Sequence, residues 1–521
     1  MPPMSTAWPW SSQACATSGT EFSCMTSSGI KYKSKTIFPL LALVLFICLA
    51  FHPAQASVIQ AGQDIQTAIN SAKAGDTIVA GPGDISSFEV DRPLIIVGQG
   101  SDGPGSSILS AALQKPAIKV NSDGVIITGF RIIGVGKDTG AKFNYYMQNP
   151  SAAAGVRFDG PNSAIVVGGD SFSLDNCSIF GAEVAVSAEN VQGLILRNTT
   201  MESCDTGASI LQSSQVKVTD CRIESCKKYG LDIERSRDVM LDNNSIVNNT
   251  NGGILLKESK KCIIQDNILS MNTFGLSLWN ASYNQVRRNR ADHNYYGILV
   301  TYWSSYNNIT ENVAVDNSRS EIVTGFGIGI SLQENSSYNM LIRNTAKGNF
   351  NGLEISKGCK FNAVYSNNAS DNKHGIRLNE NRNNLIFGNN FFRNDINAYE
   401  NTSLNIWNTT IGNYYNDYHG EDGNADGIGD QPYSLPGPES RSFDFRPLIS
   451  SYREAGLDRA ALRDEVKKYA VYEPAAEEFP TVSKQEGVMV ISRKAPSSPP
   501  KWSDSRAFDV SAPPFQKEND F

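Results

Sequence analysis

Asparagine returns at a fixed interval of 22 or 23 residues through the second half of the chain. One series comprises Asn244, Asn267, Asn289, Asn312, Asn344, Asn367 and Asn389. A second series lies five residues further on, at Asn249, Asn272, Asn294, Asn317, Asn349, Asn372 and Asn394. A third keeps the same period, at Asn284, Asn307, Asn339, Asn362 and Asn384. The step from Asn312 to Asn344 is 32 residues, which indicates an insertion in one repeat. A period of this length is typical of a solenoid of stacked units.

Each repeat begins with a glycine and an alternating apolar run, as in Gly253-Ile-Leu-Leu, Gly275-Leu-Ser-Leu and Gly297-Ile-Leu-Val. Alternation with a period of two predicts short strands that bury one face. A unit this short buries that face only by stacking on its neighbours, about 4.8 Å apart. Stacking would superpose the asparagines, so that each amide hydrogen-bonds those above and below it. The alternative solenoid, a leucine-rich repeat, requires a different spacing and a helix in each unit.

The repeats resemble those of NosD-like proteins and of carbohydrate-binding and sugar-hydrolase (CASH) domains, which are right-handed parallel β-helices. The resemblance rests on Ser282-Tyr283-Asn284, Ser305-Tyr306-Asn307 and Ser337-Tyr338-Asn339, and on the closing stretches 412–418 and 430–433. It covers roughly residues 58–448. We therefore predict an all-β, right-handed parallel β-helix of about a dozen coils. The fold hosts lyases, hydrolases, epimerases and surface proteins alike, so it does not decide the function.

The chain divides into three predicted parts. Residues 1–56 comprise an N-terminal extension and a secretory signal, with lysines at 31, 33 and 35, an apolar run Ile37–Phe51 and a small-residue cleavage site Ala54-Gln55-Ala56. An uncleaved anchor is the alternative, and translation could begin at Met25. Residues 57–448 form the β-helix. Residues 449–521 combine a charged helix at 451–470 with a mostly disordered tail rich in proline and charge.

A helical cap is predicted at the N-terminal end of the rod. Asp64 is a favourable N-cap residue, Ile65, Ala68, Ile69 and Ala72 form an apolar stripe, and Gly75 follows as a stop. Interruptions at 136–154 and Ser318–Gly327 predict projecting loops.

Charge and cysteine content restrict the partners and the compartment. The formal net charge is −7 and no basic patch occurs, so a nucleic acid is not an expected partner. The signal predicts an extracellular, cell-surface or periplasmic protein with no membrane span in the mature chain. Cys204 and Cys226 share the phase of the second asparagine series, so they either stack as small buried ladder residues or form a disulfide.

One stretch resembles an EF-hand-type calcium loop. Asp422, Asn424, Asp426, Ile428 and Asp430 supply oxygen ligands at alternate positions, with a glycine sixth, but Tyr433 stands where a bidentate acid is expected. A structural Ca²⁺ at the C-terminal cap is therefore one expectation, and an empty turn is the other. We expect no organic cofactor.

Residues two and four places after each repeat glycine should face solvent on one ribbon. The glycan-binding candidates there and just beyond are Trp279, Thr301, Tyr302, Trp303, Gln333, Glu354 and Arg377. Aromatic rings stack on sugars, and polar groups bind their hydroxyls. An ordinary solvated strand face is the alternative.

The catalytic candidates on that ribbon are Asp232, Glu234 and Lys257, the one close acid–base cluster that the repeat pattern assembles. The segment Tyr229-Gly230-Leu231-Asp232 is similar to the Tyr-Gly-Phe-Asp segment of mannuronan epimerases, but Ile233 and Glu234 replace the proline and histidine that should follow. The turn residues Tyr283, Tyr306, Tyr338 and Phe361 share one phase and are expected to stack with one another.

The preferred hypothesis is a secreted or cell-surface protein, non-enzymatic, that binds a polysaccharide or cell-envelope glycan or builds the envelope. One alternative is a polysaccharide lyase or epimerase that acts on uronate-containing glycans. The NosD resemblance implies a third, an accessory role in copper-enzyme maturation. The sequence shows no cluster of methionine and histidine for copper, and His293 and His374 are expected in turns before strands.

Overall fold

The computed structural model describes residues 56–101, 107–110, 115–134, 162–317, 326–401, 404–438 and 440–452, together with the backbone of 481–485 and 488–492. The signal predicted up to residue 55, the loop predicted at 136–154, residues 318–325 and the part of the predicted tail helix beyond 452 lie outside these ranges.

Three parallel sheets run the length of the rod, and each coil contributes one short strand to each sheet. Sheet 1 comprises β1 Val58–Gly62, β2 Thr77–Ala80, β5 Ile95–Val97, β8 Ile126–Thr128, β11 Ser173–Asp175, β14 Ile195–Arg197, β17 Lys217–Thr219, β20 Met240–Asp242, β23 Ile263–Gln265, β26 Gln285–Arg287, β29 Asn308–Thr310, β32 Met340–Ile342, β35 Ala363–Tyr365 and β38 Leu385–Phe387. Sheet 2 comprises β3 Gly83–Ile85, β6 Ser107–Ser110, β9 Phe130–Ile133, β12 Ser178–Phe180, β15 Thr200–Glu202, β18 Arg222–Glu224, β21 Ser245–Val247, β24 Ile268–Ser270, β27 Arg290–Asp292, β30 Val313–Val315, β33 Thr345–Lys347, β36 Asn368–Ser370, β39 Asn390–Phe392 and β41 Tyr414–Tyr415.

Sheet 3 holds the longest strands. It comprises β4 Phe88–Val90, β7 Ile118–Val120, β10 Ser163–Val167, β13 Val184–Glu189, β16 Thr206–Leu211, β19 Tyr229–Glu234, β22 Gly252–Lys257, β25 Phe274–Trp279, β28 Tyr296–Thr301, β31 Ile328–Leu332, β34 Asn351–Ser356, β37 His374–Asn379 and β40 Ile396–Glu400. Sheets 1 and 2 each have 14 strands, so the parallel β-helix predicted from the repeat is confirmed, with about 14 coils rather than a dozen.

Inward side chains fill a continuous apolar core. In β22, Ile254 and Leu256 are fully buried, and their register partners in the adjacent coils are apolar as well. Sterics explain why a glycine precedes each such pair of apolar residues. A Cβ on Gly253 would lie 2.5 Å from the Gly275 carbonyl oxygen and 3.1 Å from Asn272 Nδ2. Glycine therefore lets adjacent coils and the asparagine column approach closely.

The asparagine columns are hydrogen-bonded ladders, as predicted. Asn289 shows the pattern: its Nδ2 donates to Asn312 Oδ1 at 2.9 Å and to the Ile264 carbonyl at 2.8 Å. Its Oδ1 accepts from the Asn267 backbone N at 3.1 Å and from Asn267 Nδ2 at 2.9 Å. Each amide therefore satisfies its own buried groups and the turn of the preceding coil. Asn413 extends the first ladder and Asn405 extends the third.

Aromatic residues stack at one corner of the coils. Adjacent ring centroids are 5.1 Å apart from Tyr283 to Tyr306, 5.0 Å from Tyr306 to Tyr338 and 5.2 Å from Tyr338 to Phe361. All four residues have φ between 56° and 63°, the left-handed conformation that turns the chain just before a ladder asparagine. The predicted ring stack is confirmed.

All six cysteines in the described residues are buried and free. Cys226 donates its backbone N to Asn249 Oδ1 at 3.0 Å, so it occupies a rung of the second ladder. Of the two hypotheses for Cys204 and Cys226, the buried ladder residue is confirmed. Burial raises the thiol pKa of Cys204 to about 11 and that of Cys226 to about 12.

The N-terminal cap is helix α1, Ile65–Ser71, which starts at Asp64 as predicted. Asp64 Oδ1 accepts from the Thr67 backbone N at 3.1 Å, and Ile65, Ala68 and Ile69 are buried in the main apolar core. No helix in the described ranges is long and apolar enough to cross a membrane.

The C-terminal cap contains an antiparallel pair, β42 Tyr433–Ser434 and β43 Phe443–Asp444, above the buried side chains of Trp407 and Tyr415. Within the predicted tail, β44 Thr481–Gln485 and β45 Val488–Ser492 form a second antiparallel pair, which the sequence interpretation did not include.

Candidate functional site

Most of the sequence candidates lie on the outward face of sheet 3. Glu234, Lys257, Trp279 and Thr301 are register partners in four successive strands, β19, β22, β25 and β28. Gln333 directly follows Leu332, the partner of Val300, and so continues the same column in the next coil. A second column, two residues earlier, contains Asp232, Ser331, Glu354 and Arg377.

The acid–base cluster predicted near Asp232 is assembled, and two of its three members, Glu234 and Lys257, form an ion pair. Glu234 Oε1 lies 3.3 Å from Lys257 Nζ and 3.2 Å from the Arg235 guanidinium. Burial raises the pKa of Asp232, and the nearby Glu234 charge adds to that rise. Lys257 and Lys228 oppose it. The cluster is an ion-paired strip of the strand face.

Trp279, Tyr302 and Trp303 form an exposed aromatic platform. The rings of Trp279 and Tyr302 stack with centroids 4.3 Å apart and an interplanar angle of 16°, and Trp303 meets Tyr302 edge-on at 5.7 Å. The three residues are 38%, 41% and 46% exposed. Tyr302 and Trp303 both have left-handed φ values, 55° and 57°, so the turn after β28 holds their rings beside Trp279.

Glu354 is the centre of a polar cluster further along the same face. It is 6% exposed, and both of its carboxylate oxygens accept hydrogen bonds. Asn351 Nδ2 donates to Oε2 at 2.5 Å and Gln333 Nε2 donates to Oε1 at 3.2 Å. The Arg377 guanidinium lies 3.9 Å from Oε2. Burial raises the pKa of Glu354, whereas these hydrogen bonds and Arg377 lower it.

His374 extends this cluster through Asn351. Its Nδ1 lies 2.9 Å from Asn351 Oδ1, and because the Asn351 amide nitrogen already donates to Glu354, the histidine must be the donor. Burial, with Arg377 and Lys373 nearby, lowers the pKa of His374 to about 4, so the ring is neutral at pH 7.

His374 is the first residue of β37, so its predicted position in a turn before the strand is wrong. His293 does lie in the turn before β28, as predicted. A signal for the cluster was available in the sequence. Asn351 and His374 are 23 residues apart and each directly precedes a repeat glycine, which places them side by side in adjacent coils.

The family described as "Periplasmic copper-binding protein (NosD)" matches residues 149–325 and 318–420, just over half of the chain. The chain belongs to the NosD family. The matched region of this NosD-family chain includes the aromatic platform and the Glu354 cluster but ends before the 422–430 loop. No curated protein sequence matches the chain.

Solved structures similar to this NosD-family chain include two enzymes and a tailspike protein. The mannuronan C-5 epimerase AlgE6 A-module of Azotobacter vinelandii has 11% identity and a TM-score of 0.42, over 66% of this chain and 94% of its own. DFA-IIIase of Arthrobacter chlorophenolicus A6 without its lid has 15% identity and a TM-score of 0.43, over 64% and 94%. The Dettilon tailspike protein has 14% identity and a TM-score of 0.44, over 59% and 64%. Similarity at this level carries nothing about activity.

In the 422–430 loop, which lies outside the NosD match, the carboxylate oxygens accept hydrogen bonds from backbone N–H groups of the same loop. Asp422 Oδ2 accepts from Gly427 N at 2.9 Å, Asp426 Oδ1 from Ile428 N at 2.9 Å, and Asp430 Oδ2 from Gly423 N at 2.8 Å. Among the described residues, no three His, Cys, Asp or Glu side chains are grouped to hold a metal ion. The calcium site stays a prediction.

Proposed function

We propose that this NosD-family β-helix binds a polysaccharide along the outward face of sheet 3. The aromatic platform of Trp279, Tyr302 and Trp303 is the observation that supports the proposal most directly. A stacked pair of rings that is more than a third exposed presents the flat apolar surface on which a pyranose ring packs. An edge-on tryptophan beside the pair adds a wall to that surface.

Polar side chains continue the platform in both directions along the rod. Lys257 and Glu234 precede Trp279, and Gln333, Glu354 and Arg377 follow it. Seven coils from β19 to β37, spaced about 4.8 Å apart, give a strip about 29 Å long. A strip of that length, with one aromatic platform flanked by hydrogen-bonding groups, suits an extended chain of several sugars better than a single small molecule.

The compartment is part of the same proposal. The matching family is described as periplasmic, and the sequence predicts a secretory signal over residues 31–56. We place the protein outside the cytoplasm, in the periplasm or at the cell surface, where envelope polysaccharides are its available partners.

Copper binding, which the family description names, does not fit the described donors of this chain. Copper sites use histidine, cysteine and methionine in close groups. The six described cysteines lie in the core, where burial raises their thiol pKa values to about 11 or 12. No three His, Cys, Asp or Glu side chains come together within the described ranges. The donor set therefore does not favour a copper-loading role.

Binding to a panel of immobilised acidic and neutral polysaccharides tests the proposal. We expect wild-type protein to bind at least one of them, and Trp279→Ala to weaken that binding at least tenfold, because each lost sugar stack removes a large apolar contact. Phe443→Ala, at a 40% exposed aromatic in the C-terminal cap, is the matched control and should bind as wild type does. Absence of binding to every polysaccharide, or equal binding by Trp279→Ala, would show that this face is not the binding site.

A further inference from the structure

Glu354, Asn351 and His374 form a hydrogen-bonded chain of buried side chains, which we call the Glu354–Asn351–His374 relay. Such a chain is typical of an acid–base site rather than of a solvent-exposed strand face. Three side chains from adjacent strands β34 and β37 are hydrogen-bonded in series, and all three are at most 9% exposed. The relay fixes the tautomer of the histidine, with the proton on Nδ1. Its other nitrogen, Nε2, then carries the lone pair.

The free nitrogen of His374 reaches the surface. Within the described residues, Nε2 makes no hydrogen bond, and it is not among the fully buried polar atoms without a partner. Phe350 and Tyr399 contact the ring edge-to-face, with centroids 5.6 and 5.7 Å away, and so hold its orientation. A neutral, oriented and accessible imidazole is what proton abstraction requires.

Arg377 supplies a cation beside this base. Its guanidinium lies 5.7 Å from the centroid of the Tyr399 ring and 3.9 Å from Glu354 Oε2, too far for a close ion pair. Its side chain is 35% exposed, so an anion from solvent can reach it. Guanidinium binds carboxylates in a bidentate manner, and a carboxylate bound there would stand next to His374.

We infer that His374, oriented by Asn351 and Glu354, removes the proton from the carbon next to the carboxylate of a uronate held by Arg377. This inference rests on the proposed function, because the uronate is a sugar of the polysaccharide bound on the same face. It assigns the acid–base chemistry to His374, whose Nε2 makes no hydrogen bond within the described residues, rather than to the Asp232 cluster, in which Glu234 and Lys257 form an ion pair.

The reaction balances without a further reagent. His374 Nε2 takes the C5 proton, the electrons of the C–H bond form the C4=C5 double bond, and the C4–O glycosidic bond breaks. The departing oxygen takes the proton back from the imidazolium. The products are an unsaturated uronate and a shortened chain. Arg377 stabilises the charge that develops on the carboxylate during proton removal.

The charges around His374 predict how the base responds to its substrate. Burial, followed by the charges of Arg377 and Lys373, holds the pKa of His374 low in the free protein, whereas Asp395 raises it. Glu354 is connected to the imidazole through Asn351, and the Tyr399 ring contacts the imidazole edge-to-face. A bound carboxylate would neutralise the effect of the two cations. The pKa of His374 should therefore be higher in the substrate complex than in the free protein. Because kcat reports the complex and kcat/KM the free protein, the acid limb of the pH–rate profile should lie at higher pH for kcat than for kcat/KM.

Deuterium exchange measures the proton transfer directly. Alginate and polygalacturonate oligosaccharides are incubated with the full chain in D₂O, and NMR follows deuterium at C5 while absorbance follows unsaturated uronate. Either signal from wild type supports the inference. His374→Gln should lower the rate 10²- to 10⁴-fold with binding affinity within twofold, as expected when a general base is lost.

Two variants separate the roles. Glu354→Gln should lower the rate. It should also shift the acid limb of the pH–rate profile to lower pH, because removing a nearby anion lowers the pKa of the imidazole. If Glu354 had a purely structural role, the acid limb would stay at the same pH. His419→Gln, an exposed histidine in the C-terminal cap, is the matched control and should match wild type.

Binding without exchange or unsaturated product would overturn the inference and leave the proposed function standing. Activity that survives in His374→Gln would overturn it as well. Absence of any polysaccharide binding would overturn both.

Discussion

The Asn413 side-chain amide donates to Asp444 Oδ2 at 3.1 Å, so the first asparagine ladder ends on a carboxylate. The other two ladders end in the same way. Asn405 Nδ2 donates to Glu400 Oε1 at 2.7 Å, and Asn394 reaches Asp417 through Asn397. Within each ladder, the side-chain to side-chain hydrogen bonds all run from Nδ2 of one asparagine to Oδ1 of the asparagine in the next coil. The terminal carboxylate therefore accepts the hydrogen bond that a further asparagine would have accepted.

The carboxylate of Asp444 should make stability depend on pH. It is fully buried, and burial raises its pKa to about 7 despite donors from Asn413, Tyr415 and Arg446. A folded-state pKa above the unfolded value gives stability that is present below about pH 4 and is lost as the pH rises through about 7, by up to about 1.4 kcal/mol per pH unit. Thermal unfolding of wild type and Asp444→Asn between pH 4 and 8 measures the difference, which should shrink as the pH rises. A difference that is constant across the range would contradict the prediction.

An interior rung should carry more stability than an outward asparagine. Asn289→Ala removes the acceptor of both Asn267 donors and the donor to Asn312, and we expect a loss of about 3 to 5 kcal/mol in the free energy of unfolding. The half-buried Asn308 at the start of β29 is the control; its substitution by alanine should cost under about 1 kcal/mol. Denaturant titration measures both. Equal losses of unfolding free energy in the two variants would mean that the ladder hydrogen bonds add no stability beyond that of an outward asparagine.

The thiols should be inert in the folded protein. Burial raises the pKa of Cys221, Cys262 and Cys359 to about 12, and only the thiolate reacts. We expect all six cysteines of residues 57–521 to react with a disulfide reagent only after unfolding in guanidinium. A count of four reactive thiols in the unfolded chain would instead show one disulfide and contradict the six free thiols of the structure.

The calcium prediction is decided by melting curves. If the 422–430 loop binds Ca²⁺ in the folded state, millimolar Ca²⁺ should raise the Tm and a chelator should lower it, because a ligand of the native state stabilises it. Asp422→Ala should abolish the shift, since Asp422 is the first ligand of the loop and also holds the Gly427 turn. An unchanged Tm in wild type would leave an ion-free turn.

Periodicity made the fold predictable, because one asparagine position per turn fixes the register of a whole coil. The coils before Asn244 lack asparagine ladders, and their less regular apolar runs gave a prediction of about a dozen coils rather than about 14. The Glu354 cluster was harder to predict. Gln333, Glu354 and Arg377 were placed on the right face by strand alternation, but their connection to His374 depends on a residue before the repeat glycine, where alternation breaks. The repeat period alone does not predict which side chains of adjacent coils hydrogen-bond to one another.

The one-way direction of the ladders has a consequence for how such a protein can change in length. A complete unit of 22 or 23 residues inserted between two rungs finds a donor on one side and an acceptor on the other, whichever coil it joins. The last rung has no such freedom, because it must meet a carboxylate. We expect natural variation in length to arise from duplication or loss of whole interior units, with the final turns inherited as a fixed closure.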